Sequence, residues 1–297
     1  MARGYGEVVM ALKKDTSCSV QETKEIASEQ MLDENLAKET LLRHENHILK
    51  SVGIRQVFNE EEENEVIALE GVDLEISGDD IVGLIGPSGC GKSTFLRIAA
   101  GLDKPTSGEI TFDGEPIKGP DWHRGVVFQG AQLFEFLTVY GNVAFGLKAR
   151  GVYKGNEDKV DEFLKLVGLE QFAHSYPHQI SGGMAARVAI ARTLIQQPGL
   201  VLMDEPLSAL DAFTRGTIQD EIIKLLKTSN TLSMLVTHDI EEAVYMCDRV
   251  LVMSPRPGRV VADIKIDLEH PRDRISPEFV EYRRQVLDAL NDAHALD

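Results

Sequence analysis

The chain has 297 residues, of which 43% are hydrophobic and 27% charged, and 48 Asp and Glu against 31 Lys and Arg give a formal net charge of −17. That length can bury a substantial core in one large domain with appendages, while the acidity works against nucleic acid phosphate and anionic lipid as bulk partners. No run approaches the roughly eighteen consecutive apolar residues that span a bilayer, and three cysteines without metal spacing (Cys18, Cys90 and Cys247) predict reduced thiols rather than a disulfide framework.

Residues 1–50 open on Met1-Ala2-Arg3-Gly4, with no apolar signal-peptide core, so the protein is expected to stay in the cytoplasm unless a partner holds it at a membrane. Within this segment Ile26, Met31, Leu32, Leu36 and Leu41 fall only loosely on a helical stripe. The segment reads as an N-terminal extension, helical or disordered when isolated. The run Glu60-Glu61-Glu62-Glu63-Asn64-Glu65 reads as a solvated loop.

From residue 51 to 258 strands alternate with helices. Apolar strand-like runs occur at Ile81–Ile85, Gly125–Phe128, Leu200–Met203, Leu232–Val236 and Val250–Met253. Most lead into helical stretches, which predicts an α/β fold with a mainly parallel sheet core. Between Leu133 and Ile180 no strand run occurs, and Val160, Phe163, Leu164 and Val167 repeat at helical spacing, marking a helical subdomain at about 132–190. Beyond Pro255-Arg256-Pro257-Gly258 the tail, 259–297, holds a short strand at Arg259–Ile266 and a terminal helix. Ser276 is placed to cap that helix, Pro277 suits its first position, and Phe279, Tyr282, Val286 and Leu290 line one face.

The strand Ile81–Ile85 runs into Gly86-Pro87-Ser88-Gly89-Cys90-Gly91-Lys92-Ser93 and then Thr94. This is the strand, GxxxxGK[ST], helix pattern of a phosphate-binding loop. Glycines let successive backbone N–H groups converge on phosphate oxygens, and the helix beginning near Lys92 adds its positive end. Lys92 is expected to reach the β- and γ-phosphates of ATP, and the Ser93 hydroxyl to bind Mg²⁺. Cys90, beside a cation and a helix N-terminus, is expected to carry a thiolate that small alkylating reagents reach from the nucleotide side, the alternative being a small packed hydrophobe that points away from the phosphates and is inert. A second strand ends in Asp204-Glu205, carboxylates that need a charge partner at a buried strand tip. Asp204 is assigned to Mg²⁺, and Glu205 to orienting or deprotonating the attacking water. Gln129 and His238 each follow an apolar strand and are expected at the γ-phosphate, with Gln129 also a metal contact. Four strand ends carrying such residues point to one site.

Ile180-Ser181-Gly182-Gly183-Met184 and the following Arg187–Arg192 resemble the signature of ATP-binding-cassette (ABC) ATPases. Ser208-Ala209-Leu210-Asp211 looks like the D-loop of that family, and His238 like its switch histidine. The resemblance covers residues 51–254. It implies a P-loop NTPase of the ABC ATPase type, adding an antiparallel β subdomain to the parallel core and the helical signature subdomain. It implies ATP hydrolysis with Mg²⁺ and a second copy of the chain in a head-to-tail sandwich. There Ser181, Gly182, Gly183 and Asp211 close over ATP on the partner's phosphate loop, and Phe58 offers the adenine platform. Glu242–Tyr245, Asp248–Arg259, His270-Pro271-Arg272-Asp273 and Tyr282-Arg283-Arg284 resemble the nitrate/sulfonate/taurine class of importer ATPases. That implies transmembrane permease subunits, an external solute-binding protein, a peripheral place on the cytoplasmic face of the inner membrane, and a small anion as solute, with a related cation or vitamin precursor as the alternative. Ile180, Ala185 and Ala186 depart from the usual signature residues, and Gly130–Phe136 departs from the segment that faces the permease. A soluble ABC ATPase acting on ribosomes or DNA would carry a second cassette or a long coiled-coil insertion, neither of which is present. A non-hydrolysing regulatory cassette would lack Lys92, Glu205 or His238, and all three are here.

Overall fold

The five apolar runs become strands because both faces of each are covered. In a computed structural model that describes residues 47–59, 65–208, 212–229 and 231–295, ten strands form two sheets. The larger, six-stranded sheet has the order β10 (Val260–Lys265), β9 (Arg249–Met253), β3 (Ile81–Ile85), β8 (Leu232–Thr237), β7 (Leu200–Asp204), β6 (Arg124–Val127). All its neighbours are parallel except β9 and β10. Alternate residues of one strand enter different cores. Ile81 and Ile85 face one cluster while Val82 and Leu84 face the other, and Val201 and Met203 are split from Leu200 and Leu202 in the same way. Period-2 alternation between two buried faces is why these strands read as unbroken apolar runs.

One face is covered by helix α1 (Lys92–Ala99), through Phe95, Leu96 and Ile98, and by the smaller antiparallel sheet. That sheet has the order β2 (Val66–Ser77), β1 (Ile48–Phe58), β4 (Ser107–Phe112), β5 (Glu115–Pro116). The other face carries α2 (Val139–Ala149), α3 (Glu157–Leu166), α4 (Gly182–Leu194), α5 (Ala212–Thr228), α6 (Ile240–Met246) and α7 (Pro277–His294). No strand occurs between 133 and 180, as the sequence pattern predicts, and α2 to α4 supply the helical region.

One boundary moves, since strand β1 starts at Ile48, ahead of the Ser51 limit read from sequence. The tail after residue 258 holds the expected strand and helix, and its strand β10 pairs with β9 and extends the main sheet. Helix α7 is capped by Ser276, whose Oγ accepts from the Phe279 N–H, with Pro277 at its first position and Phe279 and Val286 buried. Arg272 fixes the preceding turn by donating to the carbonyls of Val244, Cys247 and Leu268. Residues 1–46 of the expected N-terminal extension with Cys18, the core of the acidic run at 60–64 and Asp211 lie outside the described residues.

Candidate functional site

Parallel register puts the working ends of the strands in a row. Val252 pairs with Ile85, Ile85 with Thr237, Asp204 with Val236, and Met203 with Val127. The phosphate loop, His238, Asp204-Glu205 and Gln129 therefore leave the same edge of the sheet, where ligands of open α/β sheets bind. A cavity of about 390 Å³ opens there, lined by Phe58, Ser88, Gly89, Gly91, Lys92, Ser93, Thr94, Gln129 and Glu205, with Val66, Ala68 and Arg256. A cavity of about 450 Å³ beside β10, around Asp80, Asp248 and Asp263, contains none of the phosphate-loop residues.

The loop is shaped by left-handed backbone at Gly89 (φ 78°) and Gly91 (φ 103°), which favours glycine. Gly91 also lacks room, since a Cβ would lie 2.5 Å from Leu69 Cδ2 and 2.8 Å from the Ala68 carbonyl. Lys92 is buried, and its ammonium donates to the carbonyls of Gly86 (2.7 Å) and Pro87 (2.9 Å). Ser93 Oγ donates to Asp204 Oδ1 at 3.1 Å, across 111 residues of sequence. Burial is the largest influence on the Asp204 carboxyl and pushes its pKa up, with the Ser93 bond and the Lys92 charge opposing and Glu205 adding to the rise. A desolvated carboxylate beside a hydroxyl is a fitting pair of oxygen ligands for Mg²⁺. Among the described residues no group of three or more His, Cys, Asp and Glu side chains is arranged to hold a metal.

Glu205 leaves β7 with φ 45°, a left-handed value uncommon for a residue with a side chain, while its N–H still donates to the Val236 carbonyl. Both carboxylate oxygens are held: His238 Nδ1 lies 2.9 Å from Oε1, and Gln129 Nε2 donates to Oε2 at 3.3 Å. Phe58 ends β1, lines the cavity and is 43% exposed.

Cys90 corrects the expectation of a reactive thiolate. It is 1% exposed and packs in the core behind the loop, where a Cβ on Gly86 would lie 2.9 Å from its Sγ. Burial outweighs the neighbouring Lys92 charge and pushes the thiol's pKa up. Behind the loop its Sγ accepts a long contact from the Lys92 ammonium at 3.8 Å.

Ser181 caps α4, accepting from the Met184 N–H at 3.3 Å, and Ser181 and Gly182 are exposed while Gly183 is buried. None of the three lines the cavity that holds the phosphate loop. Ala186 is buried and Ala185 packs on the helical core, so the two departures from the usual signature become packing contacts. After Gln129 the chain turns through Gly130 (φ 77°), Ala131 (φ 61°) and Gln132 (φ 37°), and Arg192 of α4 donates to the carbonyls of Ala131 (3.3 Å) and Gln132 (3.1 Å). The segment following Gln129 is thereby tied to the signature helix, and it presents Phe136 at 75% exposure.

Sequence reasoning did not place Arg256 in this cavity. The available signal was the turn Pro255-Arg256-Pro257-Gly258 at the end of an apolar strand. The missing one was that β9 lies directly beside β3.

The family described as ABC transporter matches residues 69–208. An uncharacterised ABC transporter ATP-binding protein of Methanocaldococcus jannaschii is 49% identical over 245 residues, 82% of this chain and 91% of the relative. An aliphatic sulfonates import ATP-binding protein of Bacillus cereus is 43% identical over 235 residues, 79% of this chain and 92% of the relative. A solved ATP-binding cassette, described as dimeric in a post-hydrolysis state bound to ADP and Pi, has a TM-score of 0.65 and 33% identity, covering 74% of this chain and 100% of that one.

Proposed function

The chain belongs to the ATP-binding proteins of ABC transporters, and from that membership we propose that it is the ATP-hydrolysing motor of an importer for small anions of the nitrate, sulfonate or taurine type. The observation that carries the reading is the convergence of Lys92, Ser93, Asp204, Gln129, Glu205 and His238 at one sheet edge, around a cavity with an exposed aromatic ring. The N–H groups of residues 86–91, with Pro87 contributing only backbone shape, cradle the phosphates, Phe58 stacks on adenine, and Ser88, Ser93 and Thr94 offer hydroxyls. Lys92 exchanges its bonds to the Gly86 and Pro87 carbonyls for phosphate oxygens. Ser93, Asp204 and Gln129 would hold Mg²⁺, which would supply charge neutralisation at the phosphates. Glu205 accepts the proton of the attacking water, while His238 and Gln129 fix the carboxylate and spare it the cost of reorienting.

Ser181, Gly182, Gly183 and Asp211 act on the nucleotide of a second copy in a head-to-tail dimer. The exposure of Ser181 and Gly182 away from the chain's own cavity supports this, as does the dimer described for the solved cassette. The helical subdomain passes closure of the dimer to transmembrane permease subunits fed by an external solute-binding protein. The protein then sits peripherally on the cytoplasmic face of the inner membrane, and among the described residues no helix is long and apolar enough to cross it. The name of the Bacillus cereus relative and the Asp248–Arg259 segment support an organic or inorganic oxyanion as the solute.

Glu205→Gln tests the motor. With MgATP it should elute as a dimer in size-exclusion chromatography and hydrolyse at least about 10²-fold more slowly, the scale of a lost general base. Wild-type turnover without a dimer would remove Glu205 from this role. For the solute, disruption of the gene should abolish growth on an alkanesulfonate as sole sulfur source or on nitrate as sole nitrogen source, with growth on sulfate and ammonium intact. Unimpaired growth on both anions would refute the solute class.

A further inference from the structure

Arg256 lines the nucleotide cavity from a loop that no phosphate-loop motif includes, and its loop is built onto the phosphate loop itself. A Cβ on Gly258 would fall 2.0 Å from the Cys90 carbonyl oxygen, so the two backbones are in direct contact. The loop is pinned on three sides. Ser254 Oγ donates to the carbonyls of Pro255 (3.0 Å) and Pro257 (3.1 Å), the Gly258 N–H donates to the Ala68 carbonyl at 3.0 Å, and Arg259 pairs with Glu70. From this base Arg256 reaches across the rim, and its Nε and Nη2 both donate to the Gly89 carbonyl at 3.2 Å. Two of the five guanidinium N–H donors are used in this way, and Nη1 makes no hydrogen bond among the described residues. A permanent cation is therefore held at the mouth of a phosphate cavity with donors to spare.

We propose that Arg256 is a nucleotide-binding residue, a second cation beside Lys92 that binds the phosphate chain with the donors left free by Gly89. The inference rests on the reading of this cavity as the ATP site. Guanidinium suits the task because its planar fork bonds phosphate oxygens while the rest of it stays anchored, and a charge-assisted bond to phosphate is about twice as strong as a neutral one. The Gly89 carbonyl fixes the fork in advance, so little rotamer freedom is lost on binding.

The test measures equilibrium binding of MgATP and MgADP to the full chain and to R256A, R256Q and R256K. Gln keeps a donor for the Gly89 carbonyl without charge, and Lys keeps the charge. Alanine and glutamine should each weaken MgATP about tenfold, the worth of one charge-assisted contact, and lysine should stay within about threefold of wild type. The loss should shrink as salt is raised, because it is a charge effect. An unchanged R256A overturns the proposal. So does an R256Q that binds like wild type, which would assign Arg256 to loop positioning alone, and so does an equal loss in all three variants. Wild type that fails to bind nucleotide, with Lys92→Ala no different, would instead refute the site reading on which the proposal rests.

Discussion

Replacing Gly258 by alanine tests whether the β9–β10 loop supports the phosphate loop. The residue's constraint is space, because the added Cβ would lie 2.0 Å from the Cys90 carbonyl oxygen and 2.6 Å from Met253 Cε. The methionine end can rotate away. The carbonyl cannot, since it belongs to the phosphate-loop backbone, and the Gly258 side is fixed by its bond to Ala68 and by Ser254. Bringing the contact to 3.0 Å, below which real Cβ atoms essentially never come, requires an opening of about 1 Å. Overpacking of this kind costs about 1–3 kcal/mol, which in a domain of this size lowers Tm by about 5 °C. Misplacing the loop by that distance should also weaken MgATP by about tenfold or more, since positioning errors near 1 Å are expensive at reacting phosphates. Differential scanning fluorimetry and equilibrium binding measure both. Gly119→Ala is the control, because a Cβ there meets nothing within 4 Å, and it should change neither. A Gly258→Ala protein with wild-type Tm and wild-type affinity would refute the argument that the two loops move as one.

Cys90 should resist small alkylating reagents in the native protein, labelling at least about tenfold more slowly than in the unfolded chain by mass spectrometry. Rapid native labelling that blocks ATPase activity and is prevented by MgATP would restore the thiolate expectation. Asp248 accepts from the Ile81 N–H and from Lys227, both at 2.8 Å, with Arg272 and His270 at 3.7 Å. Burial alone would raise its pKa, but His270, Lys227 and the Ile81 N–H outweigh that and hold the carboxyl far below the usual range. A depressed folded-state pKa stabilises the fold above the unfolded value of about 3.9, and this support is lost as pH falls toward the folded value. Asp248→Asn should cost about 2 kcal/mol at pH 7 by denaturant titration and flatten the dependence of stability on pH below about 4, and an unaltered slope would exclude the assignment. Deleting residues 1–45 should leave the affinity for MgATP within about tenfold (1.4 kcal/mol) of wild type, and a larger loss would make the extension part of the nucleotide domain.

The five inner runs of the large sheet were legible because they have residues packed on both faces and so stand out as apolar runs, and each observed strand ends within a residue or two of its run. The smaller sheet announced itself less clearly. Strand β1 exposes Val52 and Ile48 and passes through Gly53 in left-handed backbone, with breaks in its register against both neighbours, so its alternation is interrupted. Within the site, residues tied to a local pattern were readable: a strand followed by glycines and Lys92, or by paired acids. Arg256 was not, since its partner Gly89 lies 167 residues away, and only the adjacency of β9 to β3 brings them together.

Cys90 shows where a reading along the chain gives the wrong sign. The sequence displays the influences that lower a thiol's pKa, a cation two residues on and a helix N-terminus, but not the burial that opposes them. Yet the surrounding glycines hold the reason. A Cβ on Gly86 would lie 2.9 Å from Cys90 Sγ and 3.0 Å from the Met253 carbonyl, and one on Gly91 would meet Leu69 and Ala68. The phosphate loop is thus one backbone layer thick, with the nucleotide cavity on one side and β2 and β9 on the other. In a layer that thin, a side chain at position 90 has only the core to enter, which is why a small apolar thiol fits there. The same thinness means that whatever displaces the rear layer is felt at the phosphates. Chemistry on the open side depends on packing at Met253 and Gly258, far along the chain from any phosphate-binding motif.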